Sequence, residues 1–463
     1  MIIQPHILSK AIDAALSTGA DFADIFVEET YSSVLTSLNA KPENAVVGTL
    51  YGAGIRLFFG HEIVYVTTND LSEAGMVKAA LQAARSKGDA SKIYQPKELL
   101  YTPVDSIHTF GDKPWEVNRE KKFHWLNSLD QYARARSSLV TVVEGHLNEK
   151  FQRVQIANSS GLHKYDERAY ARIVNSTYVE DQGNKEVTFD NVGHMGTSEL
   201  FDQVDLKKLV ENNVDRALLL AKSEYAPAGD MPVVIDNGFG GVLFHEACGH
   251  GLETTSVAKG SSVFNGKLNE RIAADCVSAI DDGTIANGWG SLNVDDEGRE
   301  TKKTTLIDKG IVTSYIVDEM GSRQTGYEAT GSGRRQSYKF APASRMRNTY
   351  IAAGPHKFEE MIRDIDYGLY AKKMGGGSVN PGTGDYNFQV QEAYIVRNGK
   401  IEESVKGACL IGRGIDTLGK IVKVSDELQL APGMCGSVSG TLPAAVGQPQ
   451  ILVSSLTVGG RAK

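Results

Sequence analysis

Residues 232–250 read Pro-Val-Val-Ile-Asp-Asn-Gly-Phe-Gly-Gly-Val-Leu-Phe-His-Glu-Ala-Cys-Gly-His, and the fold around this stretch follows from it. Residues 232–235 are short and apolar, which predicts a buried strand. Residues 236–241 are rich in Asp, Asn and Gly, which predicts a turn. Residues 242–244 are the apolar start of a helix, so a polar residue that follows on this helix is expected to face a packed interior.

The helix carries the usual components of a zinc hydrolase in His245, Glu246 and His250. The two histidines are five positions apart, which on a regular helix separates them by about 140°, too far for both to contact one ion. We therefore expect the helix to widen into a π-bulge, or to end so that His250 leaves it. Gly249 and Gly251 permit both distortions. The alternative is that the histidines are unrelated, one in the core and one at a helix end.

A catalytic zinc site normally has three protein ligands and an open position for water, so a third ligand is required. Glu253 could be a ligand or could support a ligand from behind, although an exposed helical glutamate is the commoner explanation. Cys248 lies near the same face as His245, but three ligands from one helical turn would crowd the ion. His356 lies in what looks like an ordinary turn. Cys435 lies between two glycines that let its thiol be presented closely, yet spacing alone does not strongly prefer it over Cys409.

The composition excludes several classes of function. The 463 residues, of which 41% are hydrophobic and 23% charged, are typical of a globular protein with two or three domains. With a net charge of −8, the chain lacks the excess of positive charge that attracts nucleic acid or an anionic membrane, so neither is an expected partner. Without a signal peptide or a long apolar run, a cytoplasmic location is expected. The four cysteines are too few and scattered for a disulfide framework.

The N-terminal part, residues 1–225, alternates helices with strands. Amphipathic helices are predicted at residues 7–16, 71–86 and 206–221. Strands are predicted at residues 24–36, 63–66, 138–144, 151–157 and 168–179. We interpret this part as an N-terminal α/β domain, which could divide further into residues 1–95 and 115–225.

The C-terminal part, residues 226–463, shifts to strands and glycine. Hairpins are predicted at residues 304–317 and 394–405, the second around the strong turn signal Asn398-Gly399. The expected class is α+β, with the N-terminal α/β region packed on a β-rich antiparallel-sheet catalytic domain that carries the metal-binding helix.

Two further features have less specific interpretations. Residues 374–385 are rich in glycine but lack the GK[ST] of a P-loop, so a flexible loop lining the cleft fits better than a nucleotide site.

The arginines Arg334, Arg335, Arg345 and Arg347 could clamp a substrate carboxylate. Salt bridges from these arginines to the acidic turn at residues 295–297 are the favoured interpretation.

Several segments in a fixed order link the sequence to a known family. They are residues 245–253, 281–284, 290–291, 295–298, 331–335, 345–350, 375–377, 434–436 and 446–449. With these segments the chain resembles the TldD/PmbA family of metallopeptidases over most of its length, best beyond Pro232. Agreement of several independent segments is far more specific than one short motif.

The resemblance implies a set of site residues. Zinc would be held by His245, His250 and Cys435, with Glu246 as general base and then general acid. Cys248 would be a packing residue rather than a ligand. One departure is the run Gly-Ser-Val-Ser-Gly-Thr after Cys435, where the family commonly has Gly-Lys and Gly-Gln, so substrate contacts made there are expected to differ.

The resemblance also implies small or unfolded peptides as substrates, including leader segments of modified peptides, cleaved in the enclosed cavity of a dimer. The motif is like that of the metal-bearing TldD-like subunit, and its partner would be identical or a related PmbA/TldE-like subunit. Two alternatives stay open. One is a non-catalytic binding or scaffold subunit whose structural metal has a fourth ligand such as Cys248 or Glu253. The other is a zinc amidase that acts on a small molecule.

Overall fold

The computed structural model of the chain describes residues 1–87, 93–380 and 382–460. The protein is a strand-rich α+β molecule, which confirms the expected class. Its N-terminal half is built on one large sheet and its C-terminal half on two. Within the described residues, no helix has the length and apolar character needed to cross a bilayer.

As far as the structure describes it, the N-terminal half contains a seven-stranded sheet and four α-helices. The strands are β1 (Phe22–Leu38), β2 (Lys41–Phe59), β3 (Glu62–Thr68), β4 (Leu100–Tyr101), β5 (Val140–Asn158), β6 (Leu162–Asp181) and β7 (Asn184–Met195). The helices are α1 (Pro5–Leu16), α2 (Glu73–Arg85), α3 (Arg119–Arg136) and α4 (Leu206–Lys222). The spatial order is β3-β2-β1-β5-β6-β4, and β7 pairs with β6.

The long strands pair antiparallel, which differs from the α/β arrangement that the alternation of helices and strands suggests. The reason is that very short turns join β1 to β2, β2 to β3, β5 to β6 and β6 to β7, and such turns permit only antiparallel neighbours. All four helices pack on one face of the sheet, over alternate residues such as Ile25, Leu35 and Leu147.

Helix α3 and strands β2, β4 and β7 are absent from the prediction. Helix α3 is mostly polar and buries only a narrow apolar strip that includes Trp125 and Leu129, so its helical periodicity is weak. Strands β2 and β7 carry many exposed residues, which hides the pattern of a buried strand. Strand β5 is continuous where two short strands are predicted.

The C-terminal half holds the remaining elements. Its strands are β8 (Glu224–Tyr225), β9 (Gly229–Ile235), β10 (Ala279–Asp282), β11 (Lys303–Asp308), β12 (Ile311–Val312), β13 (Gly333–Arg334), β14 (Ala343–Ser344), β15 (Asn348–Ile351), β16 (Tyr367–Val379), β17 (Asp385–Arg397), β18 (Lys400–Lys406), β19 (Cys409–Arg413), β20 (Ile421–Val424), β21 (Gln429–Ser437), β22 (Gly440–Gln448) and β23 (Ile451–Gly459). Its helices are α5 (Val242–Phe244), α6 (Thr254–Val257), α7 (Glu319–Thr325), α8 (Phe358–Arg363) and α9 (Gly414–Gly419).

Two large sheets organise this half, beside a two-stranded sheet of β13 and β14. The first has the order β12-β11-β10-β15-β22-β21, so β21 is an edge strand. In the second, β16, β9, β23, β19 and β17 form a closed ring, because β17 also pairs with β16. Both predicted hairpins are confirmed, as β11–β12 and β17–β18, and Gly310 and Gly399 adopt positive φ in their turns. The domain division at residue 225 stays a prediction, and β8 pairs with β18.

Buried charges join the two halves. Arg56 of β2 donates to Asp24 of β1 and, at 2.7 Å, to Glu297 of the C-terminal half. Arg168 of β6 donates to Asp296. All five side chains are almost fully buried, so this contact is part of the interior rather than a surface ion pair.

Candidate metal centre

The predicted strand, turn and helix around residues 232–250 are all present. Strand β9 leads through a 3₁₀ turn, Gly238–Gly241, into α5. The next residues form a π-helical turn, His245–Gly249, in which the His250 N–H donates to the His245 carbonyl. A 3₁₀ turn, His250–Leu252, follows. The widened helix expected from the five-residue spacing is therefore confirmed, and it turns the His250 ring back toward His245.

Gly249 and Gly251 do not supply the backbone distortion for which the sequence suggested them. Gly249 has ordinary helical angles, and Gly251 is not among the residues with positive φ. A Cβ atom on Gly249 would lie 2.2 Å from Met346 Sδ, and one on Gly251 would lie 2.6 Å from the Phe264 ring. These glycines are needed for close packing rather than for unusual backbone angles.

At the π turn, the side chains of His245 and His250 meet that of Cys435, which lies 185 positions beyond His250 in the chain. The Nε2 atoms of His245 and His250 lie 3.1 and 3.2 Å from Cys435 Sγ. The ligand atoms of all three lie within 4.8 Å of one another, and all three residues are buried. Cys435 reaches this position because β21 pairs with β22, which in turn pairs with β15 near the helix.

This donor set fits a soft or borderline metal ion. Two imidazoles and a thiolate suit Zn²⁺, and three donors from the protein leave one position of a tetrahedron for water. Glu253 supports the fit, because its Oε2 lies 3.1 Å from His250 Nδ1, on the side of the ring away from Cys435. A carboxylate on the outer nitrogen of a histidine is the usual support for a metal ligand. His245 Nδ1 is buried without such a partner among the described residues.

The charges within the cluster favour the form of Cys435 that binds metal. Burial acts to raise the pKa of the Cys435 thiol, but the neighbouring His245 and His250 outweigh burial and lower it to about 3. Burial acts to lower the pKa of His250, but Glu253 and Cys435 outweigh it and raise that pKa well above its ordinary value. In the metal-free chain the cluster is thus a thiolate beside an imidazolium, and a metal ion would displace the imidazolium proton.

Glu246 faces open space next to the cluster. Its Oε2 lies 3.7 Å from His250 Nε2, and its side chain is 28% exposed. It lines a cavity of about 500 Å³ together with Glu253, Lys259 and Val438. A carboxylate at this position can reach a water molecule held near the ligand atoms.

The other candidates lie elsewhere. Cys248 is buried in the core beneath the helix, where burial raises the pKa of its thiol. Cys409 is on β19 opposite Gly459, and His356 Nδ1 lies 3.2 Å from the Val424 carbonyl oxygen. Among the described residues, the candidate metal cluster contains none of these three.

The predicted loop at residues 374–385 is mostly strand. Residues up to Val379 belong to β16 and residues from Asp385 belong to β17, and position 381 lies outside the described residues. Ser378 and Val379 line the cavity that contains Glu246, so the tip of this hairpin does border the cleft.

The interpretation of the four arginines as partners of the acidic turn is wrong. All four side chains are almost fully buried. Arg347 Nε donates to Asp281 at 2.8 Å, and Arg334 donates to main-chain carbonyls. The guanidinium group of Arg335 meets the turn at the carbonyl oxygen of Asp296 rather than at a carboxylate. Asp296 and Glu297 instead pair with Arg168 and Arg56 of the N-terminal half, which a local sequence pattern cannot indicate. The Asp295 carboxylate accepts hydrogen bonds from main-chain N–H groups.

Arg345 has a role that the sequence reasoning missed. Its Nη2 donates to the Cys435 carbonyl at 2.6 Å, and its Nη1 donates to the Gly440 carbonyl at 2.9 Å. Its Nε lies 3.9 Å from Glu253. Arg345 therefore connects the β21–β22 hairpin, which carries the thiol, to the carboxylate behind His250.

Comparison with known proteins agrees with this geometry. Three models of one family match the chain: PmbA/TldA metallopeptidase domain 1 over residues 23–87, the central domain over 112–221, and the C-terminal domain over 228–460. The chain belongs to the TldD/PmbA metallopeptidase family. This confirms the resemblance inferred from the sequence segments.

Individual relatives of this TldD/PmbA member extend over nearly the whole chain. A protein of Haemophilus influenzae named metalloprotease TldD homolog is 36% identical and covers 88% of this chain and 86% of its own. A Saccharolobus solfataricus protein named zinc metalloprotease TldD homolog is 26% identical, covering 97% and 99%. The crystal structure of TldE from Thermococcus kodakarensis, at 19% identity, has a TM-score of 0.75 over 95% and 97% of the two chains, which shows the shared fold.

Proposed function

We propose that the protein is a zinc-dependent peptidase that hydrolyses peptide bonds in small or unfolded peptides. His245, His250 and Cys435 would hold the ion, and Glu246 would be the general base and acid. The convergence of two imidazole nitrogens on one buried thiolate, 3.1 and 3.2 Å away, carries this proposal. The names of the relatives, one of which includes zinc, support it.

The chemistry follows from the charges around the site. Bound zinc would supply a Lewis acid that polarises the scissile carbonyl and acidifies a water molecule. Glu246 is next to the first ligand and borders the cavity, so it can take a proton from that water and return it to the leaving amine. Glu253 would hold the His250 ring in the orientation and tautomer that present Nε2.

The size of the cleft supports peptides as substrates. A cavity of about 500 Å³ admits a few residues of extended chain but no folded domain. Removal of leader peptides or turnover of short peptides suits such a cleft. We also propose a cytoplasmic protein that works as a homodimer or with a TldE-like partner, since a protein named TldE shares the fold.

The alternative is a non-catalytic binding or scaffold subunit with a structural metal. Such a site would be closed by a fourth protein ligand. The two residues expected for that role lie elsewhere, since Cys248 is in the core and Glu253 contacts the outer nitrogen of His250. The partly exposed carboxylate of Glu246 has no use in a closed site, which favours the catalytic proposal.

Glu246→Gln tests the two functions directly. Without the carboxylate the proton cannot be transferred, so cleavage of a mixed library of unstructured peptides should fall about 10²- to 10⁴-fold. Mass spectrometry would follow cleavage, and zinc would be determined on the same protein fractions. Equal cleavage profiles for wild type and variant, with one zinc retained in each, would refute the peptidase assignment.

A further inference from the structure

A second cavity, of about 580 Å³, lies between the N-terminal sheet and the C-terminal half. It borders the face of the sheet opposite to the four helices, because lining residues such as Thr30 and Lys150 alternate with residues that pack beneath the helices. Tyr170, Trp289 and Phe340 give the cavity aromatic walls. Its volume is typical of sites for small organic ligands.

Lys150, in the middle of β5, borders this cavity without an acidic partner. Its cross-strand neighbours Ser32 and Tyr170 line the same space. Its ammonium group forms no hydrogen bond or ion pair with residues 1–87, 93–380 and 382–460. Burial lowers the pKa of Lys150, and it outweighs the nearby Glu28 carboxylate, which acts to raise that pKa. An ammonium group in such a place is unfavourable unless an anion reaches it.

Arg172 of β6 adds a second cation to the same wall. It is half-buried, and its Nε donates to the uncharged side chain of Asn191 at 2.9 Å. Within the described chain it has no ion pair. Glu28 also lines the cavity. Its two oxygens accept hydrogen bonds from uncharged groups, the Thr30 hydroxyl, the Gln152 amide and the Tyr338 N–H, which do not neutralise the carboxylate.

With Glu28 included, the charges around the cavity still favour the positive sign, since Lys150, Arg172 and Lys339 stand against one carboxylate without an ion pair among the described residues. Glu149 is paired with Lys122 of α3 at 2.7 Å, so its charge is already balanced. Lys339, at the exposed rim, has no ion pair with the described residues. Positive charge beside aromatic walls is the chemistry that binds an organic anion with an apolar body.

This cavity is separate from the catalytic cleft but touches the same strand. The two cavities have no lining residue in common. Met434 lines the second cavity, whereas Cys435, the next residue on β21, points to the opposite face of the sheet. Trp289 Nε1 donates to the Gly433 carbonyl at 2.6 Å. The aromatic wall is therefore hydrogen-bonded to β21, the strand that carries the Cys435 thiol.

We propose that the cavity around Lys150 and Arg172 binds a carboxylate attached to an aromatic or aliphatic body, independently of the metal. The carboxylate would take the place of the missing partner of Lys150, and the body would lie against Trp289 and Tyr170. Either the C-terminus of a peptide or a free carboxylic acid has this chemistry. The site does not depend on the proposed peptidase function.

The test uses the full chain, both zinc-loaded and treated with a chelator. Ligand-observed NMR titrations would compare N-acetyl-phenylalanine with its amide, and acetyl-Gly-Gly-Phe with its amide. The variants are Lys150→Met, which removes the charge at similar size, and Lys185→Met, a matched change of an exposed lysine on β7. Thermal unfolding would show that both variants are folded.

We expect the acids to bind to wild type and Lys185→Met with or without zinc, and their amides to bind at least tenfold more weakly. Lys150→Met should weaken acid binding roughly 10- to 100-fold, the effect of one charge-assisted hydrogen bond. Tighter binding of the tripeptide acid would identify a peptide as the source of the ligand, and preference for N-acetyl-phenylalanine would identify a free acid. Equal binding of acid and amide, unchanged binding to Lys150→Met, or binding only with zinc present would overturn the proposal.

Discussion

A change at Glu253 tests the proposed metal centre directly, because it leaves all three proposed ligand residues in place. Glu253 lies 3.1 Å from His250 Nδ1, and Glu253→Gln would keep its size while removing the charge that orients the ring. We expect zinc affinity to fall about 10- to 100-fold, the usual effect of changing such a supporting residue. Competition with a chelator of known affinity would measure it. Glu270→Gln, at an exposed carboxylate paired with Lys267, is the matched control and should leave affinity unchanged.

The Cys435 thiol gives a prediction about pH. Because its pKa is lowered to about 3 in the fold, against an ordinary value of 9.0, the metal-free protein should contain a thiolate at every pH above about 3. The stability that this thiolate contributes is complete above pH 9 and falls as pH falls toward 3. The difference in ultraviolet thiolate absorbance between wild type and Cys435→Ser would follow the titration. A midpoint near the ordinary cysteine value would contradict the structure.

Part of the site can be predicted from residues alone. The pair His245 and His250 beside Glu246 suggests a hydrolase, and the five-residue spacing predicts a distorted helix. Cys435 could not be chosen over Cys409 by spacing, because the pairing of β21 with β22 that brings the thiol to the helix is a long-range feature. Only the resemblance to a family selected it.

At the scale of the element, the π turn depends on Gly249. A methyl group there would collide with Met346, whose side chain is buried and has little room to move. Gly249→Ala should therefore lower the free energy of unfolding by about 1–3 kcal/mol and weaken zinc binding, because the turn that aligns the histidines must shift. Chemical denaturation of the metal-free protein, and zinc titration, would measure the two effects.

Gly419→Ala is the matched control for that change. Gly419 ends the short helix α9 and is exposed, and a methyl group added there would meet only open space. Alanine there should leave stability unchanged or raise it by up to about 1 kcal/mol. Similar losses of stability in both variants would mean that the contact with Met346 is unimportant.

Elements with a strong local signal were predictable, and elements without one were not. The turn at Asn398-Gly399 requires positive φ and specifies its hairpin from two residues. Helix α3 is mostly polar and packs against the sheet through Trp125 and Leu129. It is therefore stabilised by tertiary contacts rather than by a strong helical pattern of its own. The exposed strand β2 is likewise defined by its pairing with β1 rather than by its own pattern.

At the scale of the whole molecule, Arg56 links the two halves. Arg56→Met would leave Asp24 and Glu297 buried without their cation, so the free energy of unfolding should fall by about 3–5 kcal/mol. Arg153→Met is the matched control on the same sheet, since its pair with Glu29 is partly exposed and should contribute less than about 1 kcal/mol. Denaturant unfolding would compare the two. Equal losses would show that the interface does not depend on the buried pair.

The assembly of the halves was the least predictable level. The acidic turn at residues 295–297 and the arginines that follow it look like local partners in the sequence. In the structure, Asp296 and Glu297 pair with Arg168 and Arg56, which belong to the other half of the chain and lie more than 100 positions away. Such pairings depend on how complete sheets pack, which no local window contains.

The distance along the chain between the ligands bears on how the protein is made. A ribosome synthesises His245, Glu246 and His250 well before Cys435, which comes 185 positions after His250. Until the thiol arrives, two imidazoles alone would retain an ion weakly. Under the proposed function, a nascent polypeptide would therefore stay inactive until most of its C-terminal half has been translated, and other newly made chains would be safe from cleavage until then.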